Sequence, residues 1–429
     1  MPIYAGGVLL FALFLLGVPV FAAFFGFNIF AALTLMGPQM LSIFSASILD
    51  TVTTSELVTV PLFILLGELL FRSGCITILF DAVDDIVGRV RGRQYVIVVL
   101  ISVLLGALSG SAIAVAAMLG RTVMAEGVER GGDKHLLSGL VLGGACLAPI
   151  IPPSFLVVLI GMLSGTSISA LLAAGVLPGI VAGVLFFFYI QVLLWRDPSR
   201  DITRGNDRPR GPVWKAVLSL LPFSIVIFAV LGLILLGVAT PNESAACGVF
   251  GALAVAAIYR KLSASMLVEA LKGSILMSSM ILLIMAASKI LTQLMAFSGL
   301  TNDLVAVFTA LDLPAVAVLV LLMLIPFVLC MFLDQIALML ILIPIYKPLL
   351  VTFGFDPLVF WTLFLLNLTL GAITPPFGYA LFALSASSPR AVGLRDIYAA
   401  SWPFIGLIVL TLVLVWAFPP LATWLPSRL

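Results

Sequence analysis

Charged side chains are scarce in this sequence: they make up only 9% of its 429 residues. A soluble domain ordinarily carries about 25%, so the composition excludes a soluble enzyme, a nucleic-acid-binding protein and a disordered chain. Hydrophobic residues make up 63% instead, and the mean hydropathy is +1.30. Because one membrane-spanning helix needs about 20 residues, the chain has room for about ten spans. The composition predicts an all-α polytopic membrane protein.

Residues that bind metals or form disulfides are also few. The single histidine, His135, lies in a charged loop, which argues against a histidine-based metal site or proton relay. The first basic residue is Arg72, so residues 3–36 lack the positive start of a signal peptide and are interpreted as membrane segments. The cysteines have no CxxC spacing and predict neither a zinc site nor a disulfide framework; they are Cys75, Cys146, Cys247 and Cys330.

A polar stretch, residues 196–212, divides the chain near its middle, and the same landmarks recur on either side of it. Pro152 follows Ser111 by 41 residues, and Pro375 follows Asp334 by 41 residues as well. The Ser-Gly pairs at 73–74 and 298–299 add a third landmark in the same order. Three matches in one order predict an internal duplication, which is a signature of secondary transporters.

The duplication predicts two repeats, residues 1–195 and 213–429, joined by a basic cytoplasmic linker at 196–212. Cytoplasmic loops carry an excess of Lys and Arg, and the loops 72–93 and 121–134 are both basic. The segment between them, about 94–120, must therefore enter and leave on the cytoplasmic side, as a re-entrant helical hairpin.

The corresponding hairpin of the second repeat, about 314–346, is predicted to open on the other side. The loops that flank it, 300–313 and 347–357, contain a single basic residue, Lys347. The two repeats are therefore predicted to have inverted topology.

The distribution of Lys and Arg among the loops places both chain termini in the periplasm. Residues 4–36 form an out-in-out pair, 37–55 lie outside, and the last span, 398–418, runs outward. With this topology 18 of the 21 basic residues face the cytoplasm, and the exceptions are Lys289, Lys347 and Arg428.

The tip of the first hairpin is predicted at Ser109-Gly110-Ser111. A hairpin that stops inside a bilayer leaves backbone groups that lipid cannot satisfy, so its tip must face protein, water, an ion or a substrate. Hydroxyl and carbonyl oxygens suit a hard cation, and helix N-termini suit an anion. Small residues also pack membrane helices closely, so a packing role stays open for this tip.

Proline pairs interrupt one apolar span in each repeat. Because proline removes a helix hydrogen bond and clashes with the preceding turn, the segments 136–160 and 358–382 are predicted to be broken helices. Broken helices at corresponding positions indicate a transport site, although a kink for packing is the alternative. The freed carbonyls that could bind a cation lie near Gly144, Ala148 and Pro149, and near Gly371, Ile373 and Thr374.

Four charged residues interrupt apolar runs. Asp334 lies inside the second hairpin, where a carboxylate indicates function by default; it could also, or instead, cap the next helix. Glu243 follows a proline at a helix start and is predicted to be a cap. Glu68 and Lys289 could pair or extend toward the interface, and a structural role is predicted for both.

At these residues the sequence resembles the large membrane subunit of TRAP (tripartite ATP-independent periplasmic) transporters of the DctM type. The resemblance extends over essentially the whole chain. It rests on the combination of PLFILLGELLFRSG (61–74), GALSGSAIAVAAMLG (106–120), IIPPSF (150–155), GVATPNESAACG (237–248), IPIYKP (343–348) and LGAITPPFG (370–378).

The resemblance implies a sodium-driven elevator, in which a domain holding both hairpins and both broken helices slides against a static scaffold. Sodium ions would bind between each tip and its broken helix, and an organic acid anion between the tips. Substrate would meet Ser109, Asp334 and Thr374. The implied sodium ligands are Ser109, Gly110, Ser111, Gly144 and Pro149 in the first site, and Met331, Asp334, Gly371, Thr374 and Pro375 in the second.

The resemblance also implies partners and a location. They are a small membrane subunit of about four helices, expected here as a separate chain, and a periplasmic substrate-binding protein; the membrane is the bacterial inner membrane. The first tip reads SGSAIAV, with few hydroxyls after Ser111, which departs from the family pattern and leaves its ligand set open. C4-dicarboxylates, sialic or other sugar acids and keto acids are all compatible substrates.

Three other functions were compared with this one. A stand-alone sodium/carboxylate symporter of the same architecture would need no binding protein, and the short loops bear on it only weakly. A membrane-embedded enzyme would need a nucleophile–base pair or metal ligands at membrane depth, which a single loop histidine and scattered acids do not supply. A channel would need neither two broken helices nor an inverted repeat.

Replacing both Ser109 and Ser111 with alanine tests the first tip. We expect the sodium concentration for half-maximal uptake to rise, because the hydroxyl ligands are lost while the backbone turn remains. Uptake measured against sodium concentration reports this directly. An unchanged sodium dependence would favour the packing role of the two serines.

Overall fold

A computed structural model describes residues 12–13, 16–37, 40–88, 90–129, 131–201 and 212–429, and within this part of the chain it contains helices and no strands. The side chains of residues 20, 36, 40, 41, 43, 56, 76 and 107–109 lie outside the description. The main helices are α1 (Val20–Met36), α2 (Met40–Thr53), α3 (Thr59–Arg72), α4 (Ile76–Val87), α5 (Arg93–Ser109), α6 (Ala112–Leu119), α7 (Lys134–Leu147), α8 (Phe155–Ser164), α9 (Ile168–Arg196), α10 (Val213–Leu235, with a π-helical turn), α11 (Pro241–Ile258), α12 (Ala264–Ser298), α13 (Leu300–Ala310), α14 (Ala315–Cys330), α15 (Gln335–Phe353), α16 (Pro357–Ala372), α17 (Tyr379–Ser387) and α18 (Leu394–Ala417).

Six of these described helices are long and apolar enough to cross a membrane alone, or seven spans if α3 and the helix that follows it at a 76° bend count as one. This is fewer than the ten or so that the chain length would allow. The difference arises because many of the remaining apolar helices have only 10–17 residues. They include α5, α7, α8, α14 and α16 of the predicted hairpins and broken helices, while α6 and α17 are shorter still, with 8 and 9 residues.

The two helices that end before the proline pairs form the centre of the molecule. Every residue from 136 to 147 in α7 and from 360 to 372 in α16 is buried. Each helix begins with an aspartate cap: Asp133 accepts hydrogen bonds from the amides of residues 135 and 136, and Asp356 from those of residues 358 and 359. The side-chain oxygen of each cap satisfies amides that have no partner within the helix.

The remaining helices surround this centre in two groups. An inner group packs directly on α7 and α16: α5, α6, α17 and α18 contact α7, while α8, α9, α14, α15 and α18 contact α16. An outer layer is built around the 35-residue helix α12, which contacts α1, α2 and α3, and α3 in turn contacts α11. Many outer-layer side chains are exposed and apolar, as expected for helices that face lipid.

Several segments predicted as loops are helical instead. Residues 72–93 contain α4, and 300–313 contain α13. Helix α15 continues to Phe353, so Lys347 lies inside a helix and not in a loop. The loop predictions were wrong because the distribution of Lys and Arg indicates the side of the membrane and carries no information on local helicity.

The polar linker is described only up to residue 201 and from residue 212. Its first turn is attached to the helix ends around it: Arg200 pairs with Asp133 at 2.9 Å and with Asp197 at 3.0 Å. Hydrogen bonds from Ser199 and Arg200 hold the pKa of Asp197 below its usual range. Residues 202–211 and 1–11 lie outside the described residues, and the inverted topology and the periplasmic termini stay predictions.

Close packing of α7 against α18 depends on glycine. A Cβ added to Gly139 would lie 2.6 Å from the carbonyl oxygen of Ala400, whereas one added to Gly406, also in a helix, would have nothing within 4 Å. Because backbone moves less readily than a side-chain end, we expect Gly139→Ala to destabilise the protein by about 1–3 kcal/mol. Thermal unfolding in detergent measures the change, with Gly406→Ala as the matched control. Equal melting temperatures for the two variants would contradict this account of the packing.

Candidate functional site

The first hairpin, formed by α5 and α6, turns at Gly110 and Ser111. Gly110 has φ +61°, a conformation that favours glycine. Ser111 caps α6 by accepting a hydrogen bond from the amide of Ala114 at 3.3 Å. Ser109 is the last residue of α5, and its side chain belongs to those that the structure does not describe. The small residues therefore form the turn between the two helices.

This tip lies against the first break, defined here as residues 148–154 between α7 and α8. A Cβ added to Gly106 would lie 2.6 Å from the Cα of Ala148, and one added to Gly110 would lie 3.3 Å from the ring of Phe155. The peptide bond between Pro152 and Pro153 is cis. The structure thus brings the tip residues together with the region around Pro149 that was predicted to bind a cation.

Gly144, which was predicted as a cation ligand, lies inside α7, before the first break, and has a packing role. A Cβ at this position would collide with the side chain of Ser102 on α5. The hydroxyl of Ser102 donates to the carbonyl of Val98 in its own helix, at 2.7 Å. The absence of a side chain at Gly144 therefore lets α7 approach α5 closely below the hairpin tip.

The second hairpin, formed by α14 and α15, turns at residues 331–334. Asp334 caps α15 by accepting a hydrogen bond from the amide of Ile336 at 2.9 Å. The capping role considered for this residue is therefore confirmed. Asp334 is exposed to the space beside the tip, and a carboxylate can accept several hydrogen bonds or ligate a cation at the same time. Capping therefore does not remove it from the candidate site.

The second break, defined here as residues 373–378 between α16 and α17, lies beside this tip. A Cβ added to Gly371 would lie 2.5 Å from the Cβ of Cys330, the last residue of α14. The rings of Phe332 and Phe377 also contact each other, with centroids 5.4 Å apart. Met331 and Asp334 are thus placed next to the segment that contains the second proline pair, which is also joined by a cis peptide bond.

Thr374 is buried in the second break. Its hydroxyl donates to the carbonyl of Leu370 at 2.7 Å, and its carbonyl accepts from the amide of Gly378 at 3.2 Å. The hydroxyl proton is used within the protein, so the lone pairs of the oxygen are the part of this group that a cation can use. Pro375, the next residue, is half-buried.

The two tip-and-break pairs are joined at the centre of the molecule. The thiol of Cys146 in α7 donates to the carbonyl of Thr369 in α16 at 3.1 Å. The helix that follows each break contacts the hairpin of the other predicted repeat: α8 contacts α15 of the second hairpin, and α17 contacts α6 of the first. Ser109 and Asp334 are therefore on different tips that are held by one continuous core.

One polar group beside the first tip was missed by the sequence analysis. Ser154, the last residue of the first break, is fully buried, and its hydroxyl has no hydrogen-bond partner among the described residues. A buried hydroxyl without a partner is costly unless water or an ion satisfies it. The signal available in the sequence was a hydroxyl directly after the proline pair of IIPPSF.

The donor atoms at both breaks fit a hard monovalent cation. No group of three or more His, Cys, Asp or Glu residues is present within the described residues, so transition-metal ligation is not built into this part of the chain. Carbonyls of unwound helix and hydroxyls are the oxygens that transporters use for sodium. The hydroxyls of Ser111, Ser154 and Thr374, together with the carboxylate of Asp334, supply such oxygens beside the breaks.

The other charged residues that interrupt apolar runs have structural partners. Thr240 and Glu243 form the predicted cap of α11, and the amide of Thr240 donates to the Glu243 carboxylate at 2.8 Å. Glu68 pairs with Arg72 at 2.5 Å. Lys289 pairs with Asp50. Glu68 and Lys289 therefore do not pair with each other, because each has a nearer partner of opposite charge.

Comparison with known proteins gives a consistent family. A family model described as "Tripartite ATP-independent periplasmic transporter, DctM component" matches residues 8–421. The C4-dicarboxylate TRAP transporter large permease protein DctM of Pseudomonas aeruginosa is 27% identical over 401 residues, which cover 92% of this chain and 92% of that protein. The sialic acid TRAP transporter large permease protein SiaM of Vibrio cholerae is 27% identical over 374 residues, 86% of each chain.

Two solved structures share the fold. The YdaH transporter of Alcanivorax borkumensis superposes with a TM-score of 0.59 at 16% identity, and the match covers 90% of this chain and 91% of that one. MtrF of Neisseria gonorrhoeae superposes with a TM-score of 0.58 at 15% identity, and covers 90% of this chain and 85% of that one. Both are transporters, and at these identities the likeness shows the helical membrane fold alone.

Replacing Asp334 separates its two roles. Asparagine keeps an N-cap acceptor while removing the charge, so Asp334→Asn should fold normally. It should lower the rate of uptake at least about tenfold, the factor that corresponds to about 1.4 kcal/mol of lost ion binding. Asp334→Ala should in addition lose about 1 kcal/mol of stability with the cap. Uptake and thermal unfolding are measured on the same preparations.

Asp356→Asn is the matched control, because Asp356 caps α16 in the same way. It should leave uptake unchanged. Near-normal uptake by Asp334→Asn would show that the carboxylate only caps the helix.

Proposed function

The chain belongs to the DctM-component family of tripartite ATP-independent periplasmic transporters and is a multi-pass membrane transport protein, not an enzyme; we propose that it is the large membrane subunit of a sodium-coupled importer of an organic acid anion. Three relatives support the ligand class, since their names specify C4-dicarboxylate, sialic acid and 2,3-diketo-L-gulonate, while others name ectoine and isethionate. Which acid this chain transports depends on the soluble partner that delivers it.

The observation that carries the proposal is the pairing of each hairpin tip with a helix broken at a proline pair. Gly110 lies against Phe155 after the first break, and Cys330 lies against Gly371 before the second. Breaks of this kind expose carbonyl oxygens and helix ends inside the protein. Two such places in one core support two cation sites with an anion site between them.

The residues at the two tips and breaks would bind different ligands. The carbonyls and hydroxyls of Ser109, Gly110, Ser111 and the Gly144–Pro149 region would hold one sodium ion. Those of Met331, Asp334, Gly371, Thr374 and Pro375 would hold another, and bound sodium would supply positive charge beside the substrate. The N-terminal ends of α6 and α15 are the positive ends of their helix dipoles and favour an anion. Ser109, Asp334 and Thr374 would contact the substrate.

Electrostatics gives a reason for coupling. Asp334 is itself an anion, so a carboxylate substrate placed beside it meets repulsion unless a cation is bound there. Binding of substrate and of cation would then depend on each other, as linkage requires. This dependence is what a symporter needs to avoid moving one solute without the other.

We further propose that the inner group of helices moves as an elevator against the outer layer. The inner group contains both tips and both breaks, so the site would move as one unit. A small four-helix membrane subunit would cover part of the exposed apolar surface of the outer layer, and a periplasmic binding protein would dock on the outer side. The membrane is the bacterial inner membrane that this family implies.

Uptake into proteoliposomes tests the proposal. The chain is reconstituted with its small subunit, an inward sodium gradient is imposed, and radiolabelled organic acids are offered with and without the binding protein. We expect accumulation that requires both sodium and the binding protein and that stops when potassium replaces sodium.

Accumulation with sodium alone would indicate a conventional symporter of the same fold. Accumulation without a sodium gradient would contradict the coupling. A preparation with Asp334→Asn serves as the control for leak, because it removes the charge and keeps the helix cap.

A further inference from the structure

A cavity of about 660 Å³ lies where the outer layer meets the inner group, away from both proline breaks. Its walls come from α2 and α12 of the outer layer, from α15 of the second hairpin, and from the turn between α8 and α9. Ligand pockets in proteins usually measure about 300–1,000 Å³. The cavity is therefore large enough for a small organic acid.

The position of the cavity along the membrane normal follows from α9. This helix has 29 residues and runs from Ile168, in the cavity wall, to Arg196 at the start of the basic linker. At 1.5 Å per residue the two ends are about 43 Å apart. The cavity thus lies at the end of the molecule opposite the basic linker, which is the end predicted to be periplasmic.

The charges around the cavity are unusual for that end of the protein. Lys289 and Lys347 line it, and they are two of the three basic residues that the topology places outside the cytoplasm. Lys289 pairs with Asp50. Lys347 is exposed and makes only a long hydrogen bond to the carbonyl of Leu163, at 3.4 Å, and no carboxylate among the described residues pairs with it. Two cations and one anion leave one positive charge in excess.

Neutral donors add to this charge. The amide oxygen of Gln293 accepts from the hydroxyl of Ser47 at 2.6 Å, which leaves the NH₂ group of Gln293 to donate to a ligand. The N-terminus of α9, at Ser167 and Ile168, also lines the cavity and contributes the positive end of a long helix dipole. The hydroxyl of Thr166 can donate as well, whereas those of Thr51, Thr54 and Thr292 already donate to backbone carbonyls.

We propose that this cavity is a second anion site, which receives the carboxylate of the organic acid on the outer side before it reaches the hairpin tips. The identity of the ligand as the transported acid rests on the proposed function. The charge selectivity of the cavity does not, because it follows from Lys347 and its neighbours. Because the walls belong to both helix groups, relative motion of the two groups would open or close the site.

Thiol labelling of the full-length chain in vesicles without sodium tests the charge selectivity. Cys247, the exposed cysteine, is replaced with serine, and Thr166→Cys places a reporter thiol in the wall; Cys75, Cys146 and Cys330 are buried. The thiol is treated with two methanethiosulfonate reagents, one that carries a negative sulfonate group and one that carries a positive trimethylammonium group. We expect the sulfonate reagent to react faster than the trimethylammonium reagent. Lys347→Gln should lower the ratio of these two rates, sulfonate over trimethylammonium, about fivefold.

Three controls make the result specific. Lys347→Arg keeps the charge and should keep the ratio, and Lys261→Gln, at an exposed lysine outside the cavity, should leave it unchanged. Raising the salt concentration on the protein with Lys347 intact should reduce the ratio through screening, which tests the charge even if Lys347→Gln does not fold. No preference for the sulfonate, or no effect of salt and Lys347→Gln, would overturn the proposal.

Protection of the same thiol identifies the ligand. Succinate and sialic acid at millimolar concentration should slow labelling, and Lys347→Gln should abolish the protection. Protection by phosphatidylglycerol but by neither acid would overturn the proposal in favour of a lipid site. Failed uptake with intact protection would contradict the proposed function and support the cavity site. Normal uptake without protection would contradict the cavity site and support the proposed function.

Discussion

The need to satisfy backbone polar groups inside a membrane determines the arrangement of this protein. A helix that stops at membrane depth leaves amides and carbonyls that lipid cannot hydrogen-bond, and the chain stops helices this way at Pro152-Pro153 and Pro375-Pro376. The two helices leading to these breaks, α7 and α16, are accordingly buried along nearly their whole length. Helices able to face lipid are displaced to the outside, around α12.

Close approach of the helices follows from the same constraint. Shielding the breaks requires the hairpin tips to touch them, and glycine makes this possible where a Cβ would meet the opposite backbone or side chain, as at Gly106 and Gly371. The cost of such a core is that it tolerates little added volume. Its benefit is that oxygens from two tips and two breaks are held in fixed positions, which a selective ion site requires.

Several charged residues form ion pairs at the ends of helices. Arg72 lies between Glu68 and Glu269, Lys134 pairs with Asp396, and Arg200 pairs with Asp133, all at helix ends. Three of these pairs, Arg72–Glu269, Lys134–Asp396 and Arg200–Asp133, attach elements that are distant in the chain. Asp334 and Lys347 differ from these residues, since no ion pair joins either to another described residue and both lie beside a tip or in a cavity wall. They are also the residues to which we assign ligands.

The sequence by itself determined the class of protein, the breaks and the tips. Hydropathy indicates membrane helices because lipid excludes charge, proline pairs stop helices wherever they occur, and Ser109-Gly110-Ser111 and Asp334 mark turns by local chemistry alone. Only the tertiary structure decided which parts meet. It placed the tips against the breaks, paired Lys289 with Asp50, put Gly144 against Ser102, left the buried hydroxyl of Ser154 without a partner among the described residues and placed Lys347 in the wall of a cavity. These facts depend on contacts between residues far apart in the chain, and neither composition nor local pattern carries that information.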